Sequence, residues 1–104
     1  ARSWHPSGMT DPGGYAAMSC DELLVHTWDI GRGLGAPFAL PESLCARLVA
    51  RLFPMWTPPI AGDARDAFLW CNGRVALPGR PRQSGDWVWW SARLEEFDGT
   101  DPDA

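Results

Sequence analysis

Apolar positions recur through residues 15–33 without leaving a broad polar side. At ~100° per residue, Met18, Glu22, His26 and Asp29 share one face, Leu23 and Ile30 a second, and Leu24 with Trp28 a third. A helix that is apolar around most of its circumference packs on several sides, and Gly31, Gly33 and Gly35 are placed to end it. A second helix is predicted from Pro41, suited to a first helical turn, to about Phe53, before Pro54. In it Leu44, Leu48 and Leu52, with Cys45 and Val49 beside them, form an amphipathic stripe, while Arg47 and Arg51 face outward. A third, shorter helix is predicted from Asp63 as N-cap through Ala64, Ala67, Phe68 and Cys71, stopped by Asn72 and Gly73.

The connecting stretches carry weaker patterns. Residues 1–14 read as an irregular Pro/Gly-rich lead-in, and Met55 to Gly62, with Pro58-Pro59, as a turn or crossover. Beyond Gly73, a Pro-Gly-Arg-Pro-Arg segment (78–82) precedes Asp86-Trp-Val-Trp-Trp90, which suits a short strand or an extended packing segment. Residues 95–104 form an acidic, flexible tail. The expected fold class is mainly α: a partial helical bundle of two long helices plus one short helix, with an irregular Trp/Pro-rich C-terminal segment and room for one short strand.

Composition narrows the function classes. A chain of 104 residues is at most one domain. Its net charge is −4 and all nine basic residues are Arg, which leaves no broad cationic footprint for nucleic acid. Arg in place of every Lys, with abundant Ala, Gly and Pro, is the mark of a high-GC genome. Cys20, Cys45 and Cys71 are odd in number and widely spaced, so a disulfide framework is a poor reading and a cytoplasmic setting is expected. All three read as small buried hydrophobes. No apolar run approaches the ~20 residues of a membrane span. Seven Trp either fill a core or line a pocket or interface.

Glu22 and His26 are the strongest chemical signal, a carboxylate and an imidazole one turn apart on an apolar helix. A buried Glu needs compensation, and a divalent metal compensates Glu and neutral His together. The plain alternative is a solvent-facing pair in an ordinary i,i+4 contact. Asp29, three residues on, is placed to orient His26 from behind, as carboxylates do for metal-bound imidazoles; otherwise it is a charge near the helix end. His5, the other His, lies in the lead-in beside Pro6 and reads as an exposed loop residue. Arg74, Arg80 and Arg82 make the one basic cluster, suited either to capture of a substrate carboxylate or to a solvated loop. No Ser-His-Asp or Cys-His constellation is visible, and no Gly-rich phosphate loop follows a predicted strand.

Tyr15-Ala-Ala-Met18, Glu22-Leu-Leu-Val-His-Thr-Trp-Asp-Ile30, Arg51-Leu-Phe-Pro54, Leu69-Trp-Cys-Asn-Gly-Arg74, Leu77-Pro-Gly79 and Trp87 together resemble the DinB-like superfamily of metal-binding four-helix bundles. Within it they look like the mycothiol-dependent maleylpyruvate isomerase branch common in actinobacteria. The resemblance runs from about Trp4 to Arg93 and corresponds to the C-terminal half of such a protein, residues 15–94 being that half-bundle. It implies that Glu22 and His26 are two ligands of a divalent metal, often zinc. The third ligand, a His on an earlier helix, has no counterpart in this chain. The resemblance also implies a mycothiol or similar low-molecular-weight thiol cofactor, presented as thiolate by the metal to an electrophilic small molecule, in an isomerase or transferase reaction. Arg74 or Arg82 would then lie near an acidic substrate.

Two functions follow as expectations. The first is a thiol-dependent metalloenzyme, or its C-terminal half, whose third ligand comes from an N-terminal helical half or a homo-oligomer mate. The second is a non-catalytic helical interaction module that oligomerises through apolar helix faces too extensive for three helices to enclose.

Overall fold

The longest helix begins where a carboxylate meets a proline. Asp11 accepts a hydrogen bond from the Gly14 amide (3.0 Å) and Pro12 occupies the first helical turn, where its missing N–H is no loss. The computed structural model describes residues 2–5, 8–56, 63–83, 89–90 and 92–97. Their order is β1 (Ser3–His5), β2 (Gly8–Thr10), α1 (Pro12–Leu34), α2 (Glu42–Leu52), a 3-10 turn (Pro54–Trp56), α3 (Ala64–Cys71) and a second 3-10 turn (Leu94–Glu96). The protein is mainly helical, a partial bundle in which α2 packs against both α1 and α3.

α1 passes through Gly31 and Gly33 and stops only at Gly35, whose φ of 68° needs no Cβ. The amides of Gly35 and Ala36 return to the carbonyls of Arg32 (3.3 Å) and Gly31 (2.9 Å), a Schellman closure. Gly31 has a separate role. A Cβ there would stand 2.6 Å from the Ala36 carbonyl oxygen, so the chain folds back against the helix only because the side chain is missing. α3 starts at Asp63, which accepts from the Arg65 amide (2.7 Å), and stops at Asn72, as expected.

The core is built from one side of α1 and α2 and most of α3. Met18, Leu24 and Val25 meet Cys45, Leu48, Leu52 and Phe53, and all five residues from Ala67 to Cys71 are buried. A helix buried in five successive residues is enclosed on several sides, in keeping with the apolar run Ala67–Cys71 that follows Arg65 and Asp66. The later segments fasten onto it. The Trp70 indole donates to the Pro81 carbonyl (3.0 Å), Gln83 donates to the carbonyls of Trp70 and Cys71, and the Trp90 amide donates to the Leu52 carbonyl (2.7 Å).

Four expectations change. The lead-in of residues 1–14 is not irregular: β1 and β2 form an antiparallel hairpin pairing Ser3 with Thr10 and Trp4 with Met9, and α1 starts at Pro12 within it. Two three-residue strands carry too little alternation to announce a hairpin in the sequence. Arg51 does not face outward but pairs with Asp11 at 2.9 Å, tying α2 to the start of α1. The acidic tail is held at its beginning: Glu96 pairs with Arg2 and Phe97 packs edge-on to Trp90 (5.2 Å). Cys20 is exposed, whereas Cys45 and Cys71 are fully buried. The strand expected at 86–90 lies largely outside the described residues, as does the tail from 98 on; Trp89 and Trp90 themselves are not in a strand. Among the described residues no helix is long and apolar enough to cross a membrane.

Candidate functional site

α1 is covered on one side only among the described residues. Gly14, Met18, Asp21, Leu24, Val25 and Gly31 are its buried positions, and on a 3.6-residue wheel they occupy the half opposite Leu23, Ile30 and Leu34. Those three side chains are 69%, 63% and 76% exposed. Glu22 and His26 lie on the same open half, their side chains 58% and 59% exposed. The inward orientation expected from their apolar neighbours is therefore corrected. Leu24, Val25 and Trp28 are indeed next to them in sequence, but the turn of the helix sends those toward α2 and α3 and the pair away from it.

On that face the expected residues come together in a chain of contacts. His26 Nε2 is 3.7 Å from Glu22 Oε2, and its Nδ1 is 3.7 Å from Asp29 Oδ2. Asp29 is gripped in turn by Arg74, whose Nη2 and Nε donate to its two oxygens at 2.7 and 3.3 Å. Arg74 Nη1 also donates to the Asn72 carbonyl (3.0 Å), which fixes the guanidinium at the end of α3. The Arg74 hydrogen bonds, against desolvation and with help from the Arg74 charge, hold the Asp29 carboxyl below the usual carboxylate range. Asp29 is thus a rigid anion against one imidazole nitrogen while the other nitrogen faces Glu22. Arg74 does capture a carboxylate, but one of its own chain.

The basic cluster expected at 74–82 is divided. Arg80 lies over the rings of Trp70 (5.1 Å) and Trp56 (5.5 Å), a cation–π packing against two rings that meet edge to face at 4.8 Å. Arg82 is exposed. The side chain of His5 lies outside the described residues. Beside Glu22 an open hollow of about 460 Å³ is lined by Tyr15, Met18, Ser19 and Trp89.

The separation within the pair can be set beside that of two zinc ligands. Two ligands of a tetrahedral zinc, each at about 2.0–2.1 Å, stand ~3.3 Å apart, close to the 3.7 Å between Glu22 Oε2 and His26 Nε2. An imidazole backed by a carboxylate is the usual arrangement of a ligating His. Among the described residues no three His, Cys, Asp or Glu side chains converge on one metal position.

One polar group escaped sequence reasoning. Asp21 is fully buried on the core side of α1, where its Oδ2 accepts from Asn72 Nδ2 at 3.1 Å. The same nitrogen donates to the Phe68 carbonyl (2.9 Å), which fixes the amide orientation and ties α1 to the end of α3. Asp21 Oδ1 and Asn72 Oδ1 are buried without hydrogen-bond partners among the described residues. Burial pushes the Asp21 pKa up to about 7, with the Asn72 hydrogen bond opposing and the neighbouring charge of Glu22 reinforcing the rise. The signal was a lone acid on the wheel position between Leu24, Val25 and Trp28. Comparison with family models, curated proteins and solved structures finds no match to this chain.

Proposed function

We propose that this chain is a helical module carrying half of a divalent-metal site, zinc being the best fit, on the open face of α1, and that it serves the activation of a small thiol. The observation behind this reading is the contact chain Arg74–Asp29–His26–Glu22. It sets an anchored carboxylate 3.7 Å from one imidazole nitrogen and leaves the other nitrogen 3.7 Å from a second potential donor. Glu22 and His26 are the ligands, Asp29 holds the imidazole, and Arg74 holds Asp29.

A metal bound there would lower the pKa of a coordinated thiol and present it as thiolate at neutral pH. The hollow walled by Tyr15, Met18, Ser19 and Trp89 offers space beside Glu22 for a small molecule. The likeness of the residues around the pair to DinB-like, mycothiol-dependent isomerases and transferases supports a low-molecular-weight thiol and an electrophilic substrate. Arg82, exposed and later in the chain than α3, is the remaining candidate for an acidic group of that substrate. Three free thiols suit work in the reducing cytoplasm. The third ligand comes from outside the described part of the chain, through another helical segment or a second copy.

Zinc titration of the wild-type chain against Glu22→Ala and His26→Ala tests the reading. Both side chains are largely exposed, so the variants keep the fold, and each is expected to lose binding. Equal affinity in all three proteins would end the metal assignment. The exposure of Leu23, Ile30 and Leu34 favours a second reading, a non-catalytic module that associates through this face without metal. That reading requires association that survives both alanine substitutions and added chelator.

A further inference from the structure

We propose that the open apolar stripe of α1 is a self-pairing seam. Two copies of this chain associate through antiparallel α1 helices crossing at Val25, and each seats its Ile30 and Leu34 against the hollow beside Ala16 and Cys20 of the other. The inference names the partner of the association reading above and needs no metal. At ~100° per residue Glu22 and His26 stand roughly 120° and 80° round the helix from the centre of the stripe, so they stay at its rim.

The first argument is spacing. Ala16, Cys20, Leu23, Thr27, Ile30 and Leu34 follow one another at alternating steps of four and three residues, the spacing that keeps one stripe of a helix against a partner helix. Leu23, Ile30 and Leu34 are the exposed large side chains of α1, and Ala16 and Cys20 are exposed as well. Thr27 brings no free donor into an apolar contact, because its hydroxyl already donates to the Leu23 carbonyl (2.6 Å).

The second argument is size, and it selects a second copy running the other way. The six positions are symmetric about Val25, so an antiparallel pairing centred there sets Ala16 against Leu34, Cys20 against Ile30 and Leu23 against Thr27. Each pair joins a large side chain to a smaller one. A parallel pairing would instead leave a gap at Ala16 and crowd the two Leu34.

The third argument is the shape that receives the large end. At the small end of the stripe a hollow of about 420 Å³ opens between α1 and α2, with Ala16, Cys20, Leu44, Arg47 and Leu48 among its walls. Knob and hole thus lie at opposite ends of one surface, and a twofold fills both holes and closes at two chains. Arg47 then stands at the carbonyl end of the incoming helix, where a cation is favoured. Arg32, the basic residue of that last turn, does not compete, since it packs over the Trp28 ring (5.3 Å) on the other side of α1.

Sedimentation equilibrium of the 104-residue chain in chelator should show its mass rising from 11.5 kDa to twice that across the micromolar range. Glu22→Ala and His26→Ala should leave the rise unchanged. Leu34→Arg alters an exposed side chain in a turn that favours cations, so it should keep its helicity and stay monomeric. Labelling of Cys20, which proceeds through the single chain, should slow as concentration rises. Register is read by oxidation with diamide, because a disulfide needs Cα atoms within about 4.4–6.8 Å. Ile30→Cys should give a covalent dimer linked through Cys20 of the second copy. The wild type should not cross-link, its two Cys20 lying roughly 15 Å apart along the axis. A chain that stays monomeric across that range, grows beyond two copies, or dimerises regardless of Leu34→Arg overturns the seam; wild-type cross-linking through Cys20 overturns the antiparallel register. Zinc binding by a monomeric wild type would leave the metal reading standing, and a dimer that binds no zinc would remove that reading while keeping this one.

Discussion

Asp21 is the residue whose environment departs most from what its chemistry prefers. It is an acid with no exposure, held by the Asn72 amide and adjoined by the Trp89 indole. Burial disfavours the charged carboxylate more than the hydrogen bonds from Asn72 and Trp89 favour it, which raises its pKa to about 7. In the unfolded chain the carboxyl returns to its ordinary value of 3.8. The folded state therefore binds the proton more tightly, and its stabilising effect is complete below about pH 4 and lost as pH rises toward 7. The loss across that window is of the order of a few kcal/mol. Asp21→Asn should flatten the dependence of melting temperature on pH between 4 and 7; an unchanged slope would show that Asp21 does not carry it. At Asp29 the sign is opposite, since Arg74 depresses its pKa and favours the anion. On the proposed metal reading, replacing Asp29 by Ala removes the carboxylate nearest His26 Nδ1 and should weaken zinc binding about 10–100-fold, while helicity by circular dichroism stays unchanged.

At the scale of elements, the three helices end where local chemistry dictates, and two of those ends are open to test. Asp11 caps α1 and pairs with Arg51 of α2, so one side chain serves a helix and a helix–helix contact. Asp11→Ala should cost about 1–2 kcal/mol in urea unfolding; a loss confined to a few tenths would mean the cap is dispensable. The Gly14 hydrogen bond and the Arg51 charge both hold the Asp11 carboxyl below its ordinary range, so its contribution is present at neutral pH and fades on acidification. Gly31→Ala is the complementary case. Its Cβ meets the backbone oxygen of Ala36 at 2.6 Å, and backbone cannot rotate out of the way. Any gain in helix propensity, about 1 kcal/mol for Gly to Ala, is outweighed, and the variant should unfold more readily than the wild type. Gly33, with nothing within 4 Å of its Cβ position, is the control: Gly33→Ala should stabilise by up to about 1 kcal/mol.

Among the described residues coverage is asymmetric: the second half of α3 is enclosed, whereas α1 is covered on one side. Phe68, fully buried in α3, is expected to cost about 3–5 kcal/mol on truncation to Ala. That is a large share of the 5–15 kcal/mol typical of a domain. The same contrast divides the cysteines. Cys20 is exposed, while burial pushes Cys45 to about 11 and Cys71 to about 12. A thiol reagent at neutral pH should label one cysteine in the native protein and three after denaturation. Rapid labelling of two or three without denaturant would show that the core is not closed.

The sequence alone determined the helices, because their causes are local. Asp63 and Asn72 bound α3, the Leu44/Leu48/Leu52 stripe marks α2, and the Glu22–Asp29 segment makes one helix with Glu22 and His26 a turn apart. The hairpin escaped because two three-residue strands carry too little alternation to stand out from Pro, Ser and Gly. Tertiary structure decided everything that depends on which half of α1 is covered. Periodicity places Glu22 and His26 on a common face but is silent about whether a neighbour packs there, and here α2 and α3 occupy the other side. Packing likewise chose Asp29 as the partner of Arg74, 45 positions away, and buried Asp21 against Asn72. Such pairings depend on the three-dimensional path of the chain, which no local spacing encodes.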